Sequence, residues 1–82
     1  MIAQFKVKMN DGSEQDVTTG IADIIALEEK FGISASELAS TTKMTWLAFL
    51  VWSALQRKNV VNIEFDKWVK GVENLEGAQG NE

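Results

Sequence analysis

The sequence has no cysteine and no histidine. Without cysteine there is no disulfide framework, no thiolate nucleophile and no zinc knuckle; without histidine the commonest general base and the commonest transition-metal ligand are both missing. Most hydrolase and metalloenzyme chemistry is thereby excluded, and no cofactor is expected. Positive charge is scarce too: 8 Lys and Arg stand against 12 Asp and Glu, a net charge of −4. Counterion release on nucleic acid needs a dense field of Lys and Arg, so nucleic acid is not an expected partner. The longest apolar block, Trp46 to Ala54, is far shorter than the roughly 20 residues a membrane helix needs. No charged-then-apolar leader opens the chain. The expectation is a cytosolic protein that does not span a membrane.

What is present, 82 residues at 45% hydrophobic and 24% charged, describes one small domain. A domain of this size buries only about 60% of the surface its unfolded chain exposes. With no disulfide or metal to help, self-association or a partner is a natural supplement.

Along the first eight residues Ala3, Phe5 and Val7 alternate with Gln4, Lys6 and Lys8, with Ile2 out of step. This is the period of a half-buried strand. The Asp11-Gly12 pair suits a tight turn, and a second strand over about Gln15 to Thr18 pairs back. Thr18 and Thr19 offer caps for a helix over about Gly20 to Phe31, in which Ile21, Ile24, Ile25 and Phe31 share a face while Asp23, Glu28, Glu29 and Lys30 point outward. Gly32 suits its C-terminal cap. Ser34 to Glu37 fits a capping box that opens a short helix over about Ala35 to Ser40.

Thr41, Thr42 and Thr45 precede or open a third helix, Lys43 to about Lys58. Its apolar groups lie around almost the whole circumference, more than so small a domain is expected to cover. Asn59 to Asn62 breaks the pattern. Phe65, Trp68, Val69, Val72 and Leu75 then lie at i, i+3, i+4, i+7 and i+10, which predicts a last helix over about Phe65 to Leu75 with Gly71 inside it. The tail, 77–82, has nothing to bury and is expected to be disordered. The predicted fold is α+β and mostly helical: a hairpin (1–18) packed on a bundle of three to four helices, all within one domain over 1–76.

Acid pairs such as Glu28-Glu29 and Glu73/Glu76 fall on predicted solvent faces, where a solvated surface is the expected role and not acid/base work. The serines have no imidazole to activate them, and the glycines are scattered with no phosphate-loop spacing. Leu27 to Ala39 has the cadence of a helix-turn-helix, but its second helix offers hydroxyls where a DNA reader needs basic or amide groups. The aromatic cluster of Trp46, Phe49 and Trp52, joined by Trp68 on the last helix, has two readings, partner-binding surface and ordinary core. Composition leaves both open.

Three segments, Ile21 to Ser34, Met44 to Arg57 and Phe65 to Glu76, together resemble the tail assembly chaperones of long-tailed bacteriophages, particularly the small forms of phages of actinobacteria. The shared features are an acidic amphipathic helix ending in Phe31-Gly32, the central Leu47-Ala-Phe-Leu-Val-Trp-Ser-Ala-Leu55, and a closing Phe65-Asp-Lys-Trp68. The resemblance covers about Val17 to Glu76. It implies a non-enzymatic helper in the host cytoplasm that coats the hydrophobic, helical tape-measure protein until tail-tube subunits polymerise, and that is absent from the finished virion. It also implies a longer, frameshifted form that recruits the tail-tube protein. The small size and the apolar girth of the third helix lead to the further expectation of a homo-oligomer. The alternatives are a tail or neck subunit retained in the virion, and a small helix-turn-helix regulator.

Overall fold

The structure, a computed structural model, describes residues 3–40 and 43–77. Ile2 and the expected caps Thr41 and Thr42 lie outside these residues. In chain order the elements are β1 (Ala3–Met9), β2 (Glu14–Thr19), α1 (Ile21–Phe31), α2 (Ala35–Ser40), α3 (Met44–Arg57), α4 (Phe65–Val69) and β3 (Val72–Gly77). The α+β class expected from the sequence is observed; in place of a hairpin on a bundle of three to four helices, the hairpin is part of a three-stranded antiparallel sheet in the order β2-β1-β3.

The hairpin follows from alternation and turn chemistry. Phe5 and Val7 of β1 and Val17 of β2 are buried, and Phe5 lies opposite Val17 in the register. On the outer face Lys6 stands between Asp16 and Glu76, and Lys8 between Glu14 and Asn74, so the central strand's cations face acidic or polar neighbours on both sides. The turn uses Gly12 at φ 92°, a conformation open to glycine at little cost. Asp11 Oδ1 accepts hydrogen bonds from the Ser13 hydroxyl at 2.7 Å and the Ser13 amide at 2.9 Å. These hold the Asp11 carboxyl below its ordinary pKa.

Helix α1 is capped differently from expectation. Thr18 and Thr19 belong to β2, the N-cap is Gly20, and Asp23 reaches back to accept a hydrogen bond from the Gly20 amide at 2.9 Å. Its C-cap, Gly32, is left-handed at φ 65°, as its position after Phe31 suggests. Because an L side chain is disfavoured there, Gly32→Ala is expected to cost about 1 kcal/mol, read as a lower urea midpoint with an unchanged slope. The Ser34–Glu37 capping box is present, with Glu37 N donating to Ser34 Oγ at 3.3 Å and Ser34 N to Glu37 Oε1 at 3.2 Å.

The last helix is where sequence and structure part. It ends at Val69, and the chain turns at Lys70-Gly71 into β3. Asn10 in the hairpin turn captures this corner: its amide donates to the Gly71 carbonyl at 2.8 Å and its side chain to the Lys70 carbonyl at 3.2 Å. Val72 and Leu75 are three apart, a helical spacing, yet they share one face of a strand. The register places Val72 opposite Met9, Asn74 opposite Lys8 and Leu75 opposite Val7. Glu73 is therefore the extra residue of a β-bulge, and a bulge shifts the parity of everything beyond it. Gly77, expected to begin the tail, closes β3, and the rest of the tail lies outside the described residues.

Helix α3 packs against β2, α1 and α4. This explains how so apolar a helix is accommodated. One side of it joins Phe5, Val7, Val17 and Trp68 through Val51, Ala54 and Leu55. Another joins Ile24 and Leu27 of α1 through Trp46, Phe49 and Leu50. Asn59, left-handed at φ 63°, turns the chain out of α3, and its amide donates to the Gln56 carbonyl at 3.0 Å.

Candidate functional site

The four aromatic residues weighed as partner anchors lie mostly inside. Trp46 is 7% exposed, Phe49 5% and Trp68 5%, while Trp52 is half-buried. Phe49 is the hub, with ring centroids 5.5 Å from Phe31, 5.4 Å from Trp52 and 5.4 Å from Phe65. Trp52 Nε1 donates to the Ile63 carbonyl at 2.9 Å, so its polar tip is satisfied within the chain. In this fold Trp46, Phe49 and Trp68 are core, and three of the four cannot present their rings to a partner without rearrangement.

Asp23, expected to face solvent, is fully buried. It accepts hydrogen bonds from Ser53 Oγ at 2.7 Å and the Arg57 guanidinium at 2.7 Å in addition to the Gly20 amide. Burial, the largest influence, works to raise its pKa. The Arg57 hydrogen bond, the Gly20 and Ser53 hydrogen bonds and the Arg57 charge together outweigh it and hold the carboxyl below its ordinary value. A carboxylate held by three hydrogen bonds and kept below its ordinary pKa is poorly suited to proton transfer near neutrality. It fastens the start of α1 to the end of α3. Its signal in the sequence was its place in the first turn after Gly20, where an acid can bond back to the N-cap amide.

The open apolar surface lies elsewhere. A groove of about 350 Å³ runs between the N-terminal half of α3, helix α4 and strand β3, lined by Met44, Thr45, Ala48, Phe65, Val69, Val72, Glu73, Asn74 and Leu75. Met44 is 59% exposed at its edge, and Val69, Val72 and Leu75 are half-buried. It arises from layer widths. Strands sit about 4.8 Å apart and a helix with its side chains is about 10 Å across, so α3, lying against β2, covers about two strands. The inner face of β3 is left partly uncovered. Sequence reading missed this groove because it placed Val69, Val72 and Leu75 on one helix. A second, more polar cleft of about 440 Å³ is lined by Lys30, Phe49, Trp52, Gln56, Asn62, Ile63, Glu64, Phe65 and Asp66.

Among the described residues no group of three or more Asp or Glu is placed to hold a metal ion, and no helix is long and apolar enough to cross a membrane. Comparison with protein-family models, with curated proteins and with solved structures found no match.

Proposed function

We propose that this chain is a non-enzymatic tail assembly chaperone of a long-tailed bacteriophage, which binds apolar faces of helices in the tape-measure protein and keeps that protein soluble. The groove beside β3 carries the reading. A two-layer fold with one strand partly uncovered lacks one helix of cover, and an amphipathic helix supplies it by laying its apolar face on Val69, Val72, Leu75 and Met44. The anchors for this contact are the groove residues; none of Trp46, Phe49, Trp52 and Trp68 lines the groove. Many weak contacts along one long client gain from avidity, and the net charge of −4 favours solubility of the coated complex. Recruitment of the tail-tube protein falls to a longer frameshifted form, the work takes place in the host cytoplasm, and the protein is left behind when the virion is complete.

The experiment is co-expression with a tape-measure protein. Wild type is expected to bring the client into the soluble fraction and copurify in several copies. Met44→Glu places a charge on an exposed groove edge, so the fold is expected to be unchanged by circular dichroism while client recovery falls at least tenfold. An insoluble client with wild type, or full recovery with Met44→Glu, would count against this site. Detection of the chain in purified virions would favour a retained tail or neck subunit.

A further inference from the structure

We propose that the groove beside β3 selects its occupant by charge, taking an amphipathic helix whose apolar stripe is bordered by Lys or Arg, and that Glu73 makes the selection. This selection rests on the groove being the client site, and it deepens that reading by naming the kind of helix taken. Among the described residues that line the groove, Glu73 alone is charged. It is exposed, while Val72 and Leu75 on the same strand are half-buried, so its carboxylate stands at the border of the apolar floor. The ion pair found among the described residues joins Asp23 to Arg57, and Glu73 takes part in no side-chain hydrogen bond there, whereas Glu76 accepts one from Asn74 at 3.2 Å.

The strand register explains how Glu73 comes to stand there. Val72 lies opposite Met9, so an unbroken antiparallel ladder would set residue 73 opposite Lys8 on the outer face, where an acid and a lysine make a favourable cross-strand pair. The bulge gives that place to Asn74 and keeps Leu75 opposite Val7 on the inner face. Glu73 is left out of the ladder and lines the groove instead. Re-aiming one side chain is a common use of a bulge.

No lysine of the chain offsets this charge within the groove. Lys43, next to Met44, holds its Nζ 5.4 Å from the centre of the Trp46 ring, and Lys70, next to Val69, is exposed and does not line the groove. A Lys or Arg on a docked helix can lay its aliphatic stem along the apolar rim and bring its cation to Glu73. An acid at the same place would meet a like charge beside apolar surface, which rejects the wrong helix as well as favouring the right one.

The net charge of −4 steers a basic helix toward the chain from a distance, and Glu73 fixes where its cation lands. Glu73 differs in this from an acid introduced at Met44. Met44 is one of the apolar anchors, so a charge there is set against the stripe itself, whereas Glu73 meets the residues that border it.

The test uses two designed helical peptides with the same leucine face, one with Lys and one with Glu on both borders of that face, each titrated into the isotope-labelled full chain at low salt. Wild type is expected to bind the Lys peptide about fivefold more tightly than the Glu peptide, read from amide shifts at Met44, Val72 and Leu75, with the preference shrinking as salt is added. Glu73→Gln is expected to remove most of the preference and Glu73→Lys to reverse it, with far-ultraviolet dichroism unchanged because residue 73 is exposed. Glu29→Lys makes the same change in net charge on α1, away from the groove, and is expected to keep the wild-type preference. Equal binding of the two peptides by wild type, a Glu73→Lys that still prefers the Lys peptide, or a Glu29→Lys that reverses the preference would each overturn the proposal while leaving the groove as the client site. If neither peptide shifts the groove residues, the groove reading itself falls and the charge selection falls with it.

Discussion

Phe49→Ala is expected to lower stability by about 3–5 kcal/mol, the usual cost of emptying a buried phenylalanine site. Phe49 is 5% exposed and is the ring that Phe31, Trp52 and Phe65 all contact. Its removal takes away three aromatic contacts and leaves a cavity between α1, α3 and α4 that these rings cannot all collapse into. A domain of this length has a total stability on the order of 4–12 kcal/mol, so the loss removes a large fraction of it, and at the low end of that range the chain unfolds at room temperature. Urea denaturation followed by circular dichroism measures this directly. A Phe49→Ala protein that unfolded at the wild-type midpoint and failed only in client binding would restore the aromatic cluster as the docking surface.

The second large effect concerns Asp23 and Arg57. Arg57→Met is expected to lower the urea midpoint clearly at neutral pH, because Asp23 stays buried with its hydrogen bonds to Ser53 and Gly20 but without a counter-charge. The loss is smaller than for a fully buried pair because Arg57 is itself 45% exposed and its charge is partly screened. The variant also shifts a pH dependence. In wild type the Asp23 pKa is lowered on folding, so its contribution is complete above the unfolded carboxylate value of roughly 3.9 and is lost as pH falls through the lower folded value. Without Arg57 the burial of Asp23, the largest single influence, is opposed only by the Gly20 and Ser53 hydrogen bonds, and the folded pKa rises relative to wild type. The stability gap between wild type and Arg57→Met is therefore expected to narrow as pH falls through the variant's folded carboxyl pKa toward the lower wild-type one. A gap that widened on acidification would show that the ion pair does not set the titration of Asp23.

The elements whose signals are local were legible in the sequence. Alternation in Ala3 to Val7 and the Asp11-Gly12 turn give the hairpin, Gly32 and the Ser34–Glu37 box mark the ends of α1 and α2, and Asn59 ends α3. What escaped depends on non-local contacts. Nothing near Val72 announces that Asn10, some 60 residues away, will hold the Lys70 and Gly71 carbonyls and turn the chain into a strand. The Glu73 bulge then makes a strand carry a helix's spacing. Asp23 looked exposed because its partners, Ser53 and Arg57, lie on another helix. The apolar girth of α3 looked excessive because the two-stranded hairpin was counted as the whole sheet. With β3 and α4 packed where they are, most of that girth is covered, and the open surface moves to the groove that β3 creates.

The most direct measurement of the central claim is amide chemical-shift mapping of the isotope-labelled chain titrated with an amphipathic helical peptide from a tape-measure protein. The account predicts saturable shifts at Met44, Thr45, Val69, Val72 and Leu75, abolished by Met44→Glu, with the outer sheet face around Lys6 and Asp16 unaffected. Shifts confined to the outer sheet face or to α1, or no saturable shifts at all, would contradict it.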